Sequence, residues 1–177
     1  MPTVYLTVPG VTNSSENHWQ SRWERELPDR FRRIEQDEWD TPVCGDWIER
    51  IEKDVRAGDP RHVVVVAHSL GCIAVAHWAA KFGTKVKGAF LVAPSDCEAK
   101  TYTFDTKGFS PIPLNALPFK SLVVASSNDE YVSIERAKEF AEAWGGKLII
   151  VGEKGHLNPG SGYGEWNEGL ELLKQLD

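Results

Sequence analysis

Runs of β-branched and aliphatic residues recur along the chain at Val4–Val8, Val63–Ala67, Ala89–Ala93, Leu122–Ala125 and Leu148–Val151, with a weaker one at Phe31–Ile34. Each has the length and composition of a strand. Between most of them the apolar spacing becomes helical. Val43, Trp47, Ile48, Ile51 and Val55 share one helix face, while Ile73, Val75, Ala76, Ala79 and Ala80 make the next helix apolar nearly all round. Ile134 to Ala143 and Glu165 to Leu176 predict two more, the last with Leu170, Leu173 and Leu176 on a single stripe. This alternation predicts an α/β fold: a doubly wound, mostly parallel sheet of about six strands with helices on both faces, because parallel strands need crossovers and helices supply them. The run VVVVA at Val63–Ala67 is continuously apolar, as a strand covered on both faces must be, and belongs at the sheet's centre.

One segment breaks the rhythm. From Asp96 to Phe119, Pro111, Pro113 and Pro118 disfavour long helix or strand, and an irregular stretch of that length is expected to form a wall or short lid over a site. No repeat, low-complexity tract or linker divides the 177 residues, so a single domain over 1–177 is expected. A formal charge of −6, with basic residues scattered among acidic ones, argues against nucleic acid and against anionic membrane surfaces. No apolar run approaches the roughly 20 residues of a membrane span. The opening MPTVYLTVPG lacks the basic start and long apolar segment of a secretory signal, and cytoplasm is the expected location. Cys44, Cys72 and Cys97 are odd in number and lack metal-ligand spacing, which reads as free thiols in a reducing compartment. The expected partner is a small-molecule or short peptide substrate.

The chemistry gathers past the central strand, at Ala67-His68-Ser69-Leu70-Gly71. Open parallel sheets bind ligands beyond the carboxyl ends of their strands. A serine on a tight strand-to-helix turn there points its hydroxyl out of the sheet, beside helix N–H groups suited to an oxyanion. Ala67 and Gly71 are small enough for strand and helix to close around the turn, with alanine standing in the first glycine position of G-x-S-x-G. By itself the pentapeptide also fits an ordinary turn with serine as helix cap. Partners discriminate, because a serine nucleophile needs a base and an acid to orient that base. Asp129 follows the strand Leu122–Ala125 and is the expected acid, with Glu130 one residue out of place. His156, on the glycine-bracketed loop after Leu148–Val151, is the expected base.

The other histidines fit other roles. His62 lies at the opposite end of the central strand, His68 projects away from the base position as a packing or supporting group, and His77 sits inside a helix. His18, with Trp19, follows the first strand's loop and is placed to contact substrate. An oxyanion hole would take the Leu70 N–H and one from Pro9-Gly10-Val11-Thr12, where Val11 is preferred and Thr12 is the near alternative. Ser14 and Ser15 fit either substrate contact or capping of a helix beginning near Glu16. Trp39, Trp166 and the Phe109–Pro113 segment are candidates for an apolar rim with Trp19, or for core packing. No metal or organic cofactor is implied.

Taken together, these residues resemble the retinoblastoma-binding-protein-9-like small serine hydrolases, a compact α/β-hydrolase branch without a large lid. The likeness runs through the VPG loop with N-S-S and H-W, the D-W and I-x-x-I helix, A-H-S-L-G, A-P-S, S-S-x-D-x-Y-V and G-H-L-N-x-x-S-G-x-G-x-W. It implies a Ser69, Asp129 and His156 triad and esterase-like or aminopeptidase-like hydrolysis. Binding of retinoblastoma protein is not expected, because the L-x-C-x-E motif is missing: Leu70-Gly71-Cys72-Ile73-Ala74 lacks the glutamate and Ser95-Asp96-Cys97-Glu98 the leucine. Two other readings remain: a noncatalytic interaction module on the same fold, and cysteine catalysis by Cys97 or Cys72, disfavoured for want of an ordered histidine.

Overall fold

The computed structural model describes residues 2–177. Its elements are β1 (Val4–Val8), α1 (Trp19–Glu26), β2 (Phe31–Arg33), α2 (Cys44–Arg56), β3 (Val63–His68), α3 (Leu70–Phe82), β4 (Gly88–Val92), β5 (Ser121–Ala125), α4 (Ile134–Trp144), β6 (Lys147–Ile150) and α5 (Asn167–Leu173), with 3-10 turns at Pro60–His62, Pro159–Ser161 and Lys174–Leu176. The strands form one sheet in the order β2-β1-β3-β4-β5-β6, and every pairing is parallel. The weak candidate near Phe31 is a three-residue edge strand, paired to β1 from Tyr5↔Phe31 to Thr7↔Arg33.

Successive residues of a strand point to opposite faces, and the core divides accordingly into two layers. Leu6, Val65, Ala67, Leu91 and Val123 face a layer completed by α2, α3 and α4. Tyr5, Val64, Val66, Phe90 and Val124 face the other, completed by α1 and the C-terminal helix. The division follows from handedness. The chain leaves β1 toward β2 and then reverses to run β3, β4, β5, β6, so right-handed crossovers place α1 opposite the later helices. On the α1 side, Trp23 stacks on Trp166 at 5.9 Å, Trp166 stacks on Phe90 at 5.9 Å, and Trp19 meets Trp166 edge-on at 5.2 Å. These rings pin α1 and the C-terminal segment to the sheet.

Between β4 and β5 the irregular segment replaces a crossover helix. Phe109 and Ile112 insert into the core beside α2 and α3. Its backbone is held by His77, whose ring nitrogen lies 2.9 Å from the Phe109 carbonyl, and by Trp144, whose Nε1–H donates to the Pro113 carbonyl at 2.8 Å. Pro42 and Cys44 exchange backbone hydrogen bonds with Lys107. It is a pinned wall.

The reversal of direction occurs between β1 and β3, which are paired in register from Val4↔Val63 to Val8↔Ala67. There the start of α3 passes against the end of β1. A Cβ built on Gly71 would lie 2.2 Å from the Val8 carbonyl oxygen and 2.6 Å from that of Pro9. Both atoms are backbone of a paired strand and its first loop residue, so neither can swing aside. Gly71→Ala is therefore expected to cost about 1–3 kcal/mol or more by forcing the elements apart, a fall in Tm of several degrees at roughly 2–4 °C per kcal/mol. A melting curve coincident with that of the parent protein would show that the contact relaxes freely and would refute this account.

Candidate active site

Ser69 stands between β3 and α3 with φ 58° and ψ −126°, backbone that residues with a side chain rarely adopt. Such a conformation costs on the order of 1–3 kcal/mol and persists only where its surroundings hold it. Here its N–H donates to the Val92 carbonyl at 3.0 Å, and its carbonyl accepts from the N–H of Cys72 at 3.0 Å and of Ser95 at 3.4 Å. Gly10, in the loop after β1, closes the other side: a Cβ there would meet the Ser69 Cβ at 2.9 Å and the Leu70 nitrogen at 3.3 Å. The serine is thus clamped by the loops after its two neighbouring strands.

Three residues from distant parts of the chain meet at this turn. His156 Nε2 lies 2.9 Å from Ser69 Oγ, and its Nδ1 lies 2.9 Å from both carboxylate oxygens of Asp129. The Asp129 side chain is fully buried and also accepts the Tyr131 N–H at 2.9 Å. With the carboxylate taking the proton on Nδ1, Nε2 is left as the acceptor for the Ser69 hydroxyl. Glu130 is exposed, as its displacement by one residue predicts.

The loops carrying Asp129 and His156 are tied to each other and to the sheet. Asn128 Oδ1 accepts from the Ser126 hydroxyl at 2.9 Å and from the Gly155 N–H at 2.7 Å, and Ser126 Oγ accepts the Lys154 N–H at 2.8 Å. His68 donates from Nε2 to the His156 carbonyl at 2.9 Å, and Trp19 donates from Nε1 to the next carbonyl, Leu157, also at 2.9 Å. Burial holds His68 well below its ordinary pKa, so it stays neutral and keeps a free nitrogen lone pair. His68 thus supports the His156 loop, but it does not project away from that side as expected: its ring lies 4.8 Å from that of His156 and forms part of the cavity wall. Trp19 is fully buried and absent from the cavity wall, so the expected substrate contact gives way to anchoring of the His156 loop.

The cavity above Ser69 encloses about 530 Å³ and is walled by residues 10–16, His18, His68, His156, Asn158, Pro159 and two aromatic rings, Phe104 and Tyr131. Phe104 comes from the irregular segment, which is how that wall reaches the site. Trp39 instead packs on Trp47 at 5.5 Å and Trp166 in the tryptophan cluster, while Phe109 is core. Helix α1 begins at Trp19 rather than near Glu16, and its cap is His18, whose Nδ1 accepts the Gln20 N–H at 3.2 Å. Ser14 is instead bonded to Gln20 Oε1 at 2.7 Å, and the Gln20 amide reaches the Val66 carbonyl at 3.0 Å. The Thr12 N–H is given to the Trp39 carbonyl at 2.8 Å, whereas that of Val11 finds no backbone acceptor among the described residues. Among those residues no three His, Cys, Asp or Glu side chains are grouped to hold a metal ion, and no helix is long and apolar enough to cross a membrane.

The pattern of the serine hydrolase family matches residues 5–175. The chain belongs to that family. A protein described as a YdeN-like hydrolase from Pectobacterium atrosepticum is 32% identical, with a TM-score of 0.87 over 99% of this chain and 90% of its own. The ydeN gene product of B. subtilis is 21% identical, with a TM-score of 0.79 over 99% and 98%. The esterase RhEst1 from Rhodococcus sp. shares the fold at 13% identity and a TM-score of 0.69, over 99% and 92%. No curated protein matches the chain. The six-stranded open parallel sheet is thus a compact α/β-hydrolase fold, and the family makes the protein a hydrolase.

Burial, aided by the Arg33 guanidinium, pulls His18 down to about 3. Unfolded, its imidazole takes a proton near 6.5, so between these values the unfolded chain binds more protons and stability falls as pH falls. His18→Asn keeps a capping acceptor and removes the titrating ring. Urea unfolding between pH 7 and pH 4 is expected to show a shallower loss of stability in the variant than in the parent; equal slopes would exclude His18 as a source of acid sensitivity.

Proposed function

We propose that this serine hydrolase cleaves a small ester, thioester or amide through Ser69, His156 and Asp129, by way of an acyl-enzyme. The observation that carries the reading is the continuous chain of hydrogen bonds from the Asp129 carboxylate through the His156 ring to Ser69 Oγ, buried at the base of an open cavity. In the reaction, Ser69 Oγ attacks the acyl carbon while its proton passes to His156 Nε2. Asp129 holds the ring in the required tautomer and stabilises the imidazolium. The tetrahedral oxyanion lies against the N–H groups of Leu70, at the start of α3, and Val11. Val11 is chosen over Thr12 because the Thr12 N–H is already spent on Trp39. His156 then gives its proton to the leaving group, and water repeats the sequence to release the acid.

His18, Phe104 and Tyr131 are assigned to substrate contact, with Trp19 acting behind them through Leu157. The mixed polar and aromatic wall favours a small molecule or short peptide end over a long acyl chain. Cysteine catalysis is disfavoured physically: burial pushes Cys44 and Cys97 up to about 12 and Cys72 higher still, leaving the thiols protonated at neutral pH. The motifs shared with the retinoblastoma-binding-protein-9-like branch support placing residues 1–177 there as one domain with esterase-like or aminopeptidase-like turnover. The missing L-x-C-x-E argues against retinoblastoma protein, and the scattered charge against nucleic acid and membranes, as partners. Three free thiols fit the reducing cytoplasm.

A fluorophosphonate probe is expected to label the native protein once, at Ser69, and Ser69→Ala not at all. With an activated acyl ester, Ser69→Ala is expected to lose about 10⁴-fold or more in kcat and Asp129→Asn roughly 10³–10⁴-fold. Native protein that resists the probe, or Ser69→Ala that labels equally well, would leave a noncatalytic interaction module as the better description.

A further inference from the structure

The mechanism above leaves one close contact of the nucleophile unused. Ser95 Oγ lies 2.7 Å from Ser69 Oγ, buried and outside the cavity wall. Its placement is built into the chain: Ala93 turns through φ 49° at the end of β4, Pro94 follows, and the Ser95 N–H donates to the Ser69 carbonyl. Ser95 therefore touches both the backbone and the side chain of the nucleophile.

Counting protons fixes the direction of the hydroxyl contact. Ser69 has one hydroxyl hydrogen, and His156 Nε2 takes it because Nδ1 has donated to Asp129. Ser69 Oγ can then only accept from Ser95, and the Ser95 hydroxyl has no other hydrogen-bond partner among the described residues. We infer that Ser95 is a positioning residue for the nucleophile, a permanent donor that holds the Ser69 oxygen on line with His156 and stabilises the negative charge that oxygen gathers as it loses its proton. The inference rests on Ser69 acting as proposed above. During attack the Ser69 proton moves to His156 Nε2, the Oγ–acyl bond forms and the carbonyl π pair moves to its oxygen; Ser95 keeps its own proton throughout. While the proton has left for His156 and the Oγ–acyl bond is only partly formed, Oγ carries part of the negative charge, and a hydrogen bond to it is then stronger than one to a neutral hydroxyl, so the donor favours the transition state over the ground state. Because Ser95 is absent from the cavity wall, substrate binding should be indifferent to it.

The test is Ser95→Ala, which removes the donor without leaving a buried group unpaired, since Ser69 keeps His156. The rate of fluorophosphonate labelling and kcat on an activated acyl ester are expected to fall roughly tenfold, the scale of one neutral hydrogen bond strengthened by charge, with KM and Tm unchanged. Ser95→Thr, which restores a hydroxyl at the same atom, is expected to recover most of the rate if its Tm matches the parent. Labelling and kcat within twofold of wild type in Ser95→Ala overturn the assignment, as does a loss confined to KM or one that tracks a lowered Tm. Failure of the wild type itself to label would count against Ser69 as nucleophile, and so stays distinct from failure of the Ser95 role.

Discussion

The site depends on one backbone constraint: Ser69 is held at a positive φ in the narrow space between the ends of β1 and β4. A residue with a side chain does not stay there unaided. What holds it is the pairing of β3 with both neighbours, which brings Gly10 against one side and Val92 and Ser95 against the other. The reversal of strand order between β1 and β3 opens the crevice above the turn, and the lack of a Cβ at Gly10 and Gly71 lets the backbones close to the distances the turn needs. The placement of the Ser69 hydroxyl at the base of the cavity is the product of that compression.

Around the turn, reactive groups sit on loops that have lost the freedom loops usually have. Asn128 and Ser126 knit the Asp129 loop to the His156 loop, and His68 and Trp19 each hold one of the two successive carbonyls at His156 and Leu157. The His68 and Trp19 contacts are buried, where an unmade hydrogen bond costs more than a made one contributes, while those through Asn128 lie nearer the surface. Displacing His156 would strand several of them together. Rigidity at the base thus comes from shared polar contacts, and the tryptophan cluster beneath holds α1, and with it Trp19 and His18, in place.

Much of this was legible along the chain. The strands lie within a residue of their apolar runs, because a parallel strand covered on both faces must be apolar throughout and little else in a soluble chain is. Ser69, Asp129 and His156 could be named from chain order, since each sits at the carboxyl end of a strand whose position the pattern reveals. His18 could be placed near the cavity but not in its role as helix cap, because histidine is an uncommon cap and the two serines before it are the usual ones. Phe104, Tyr131 and Asn128 carried no periodic signal at all. Their parts depend on which loops end up adjacent, and loop residues obey no period.

By itself the sequence determined the alternation of elements, the central place of Val63–His68, the sharp turn at Ser69 and the position of Asp129 and His156 past later strands, because these follow from local sterics and from the period of apolar burial. Only the tertiary structure decided which atoms touch. It placed Ser95 against Ser69, spent the Thr12 N–H on Trp39 and sent Trp19 behind the His156 loop while Phe104 came forward to the cavity. The reason is physical: hydrogen bonds are decided by tenths of an ångström between residues dozens of positions apart, and such distances exist only once the sheet has assembled.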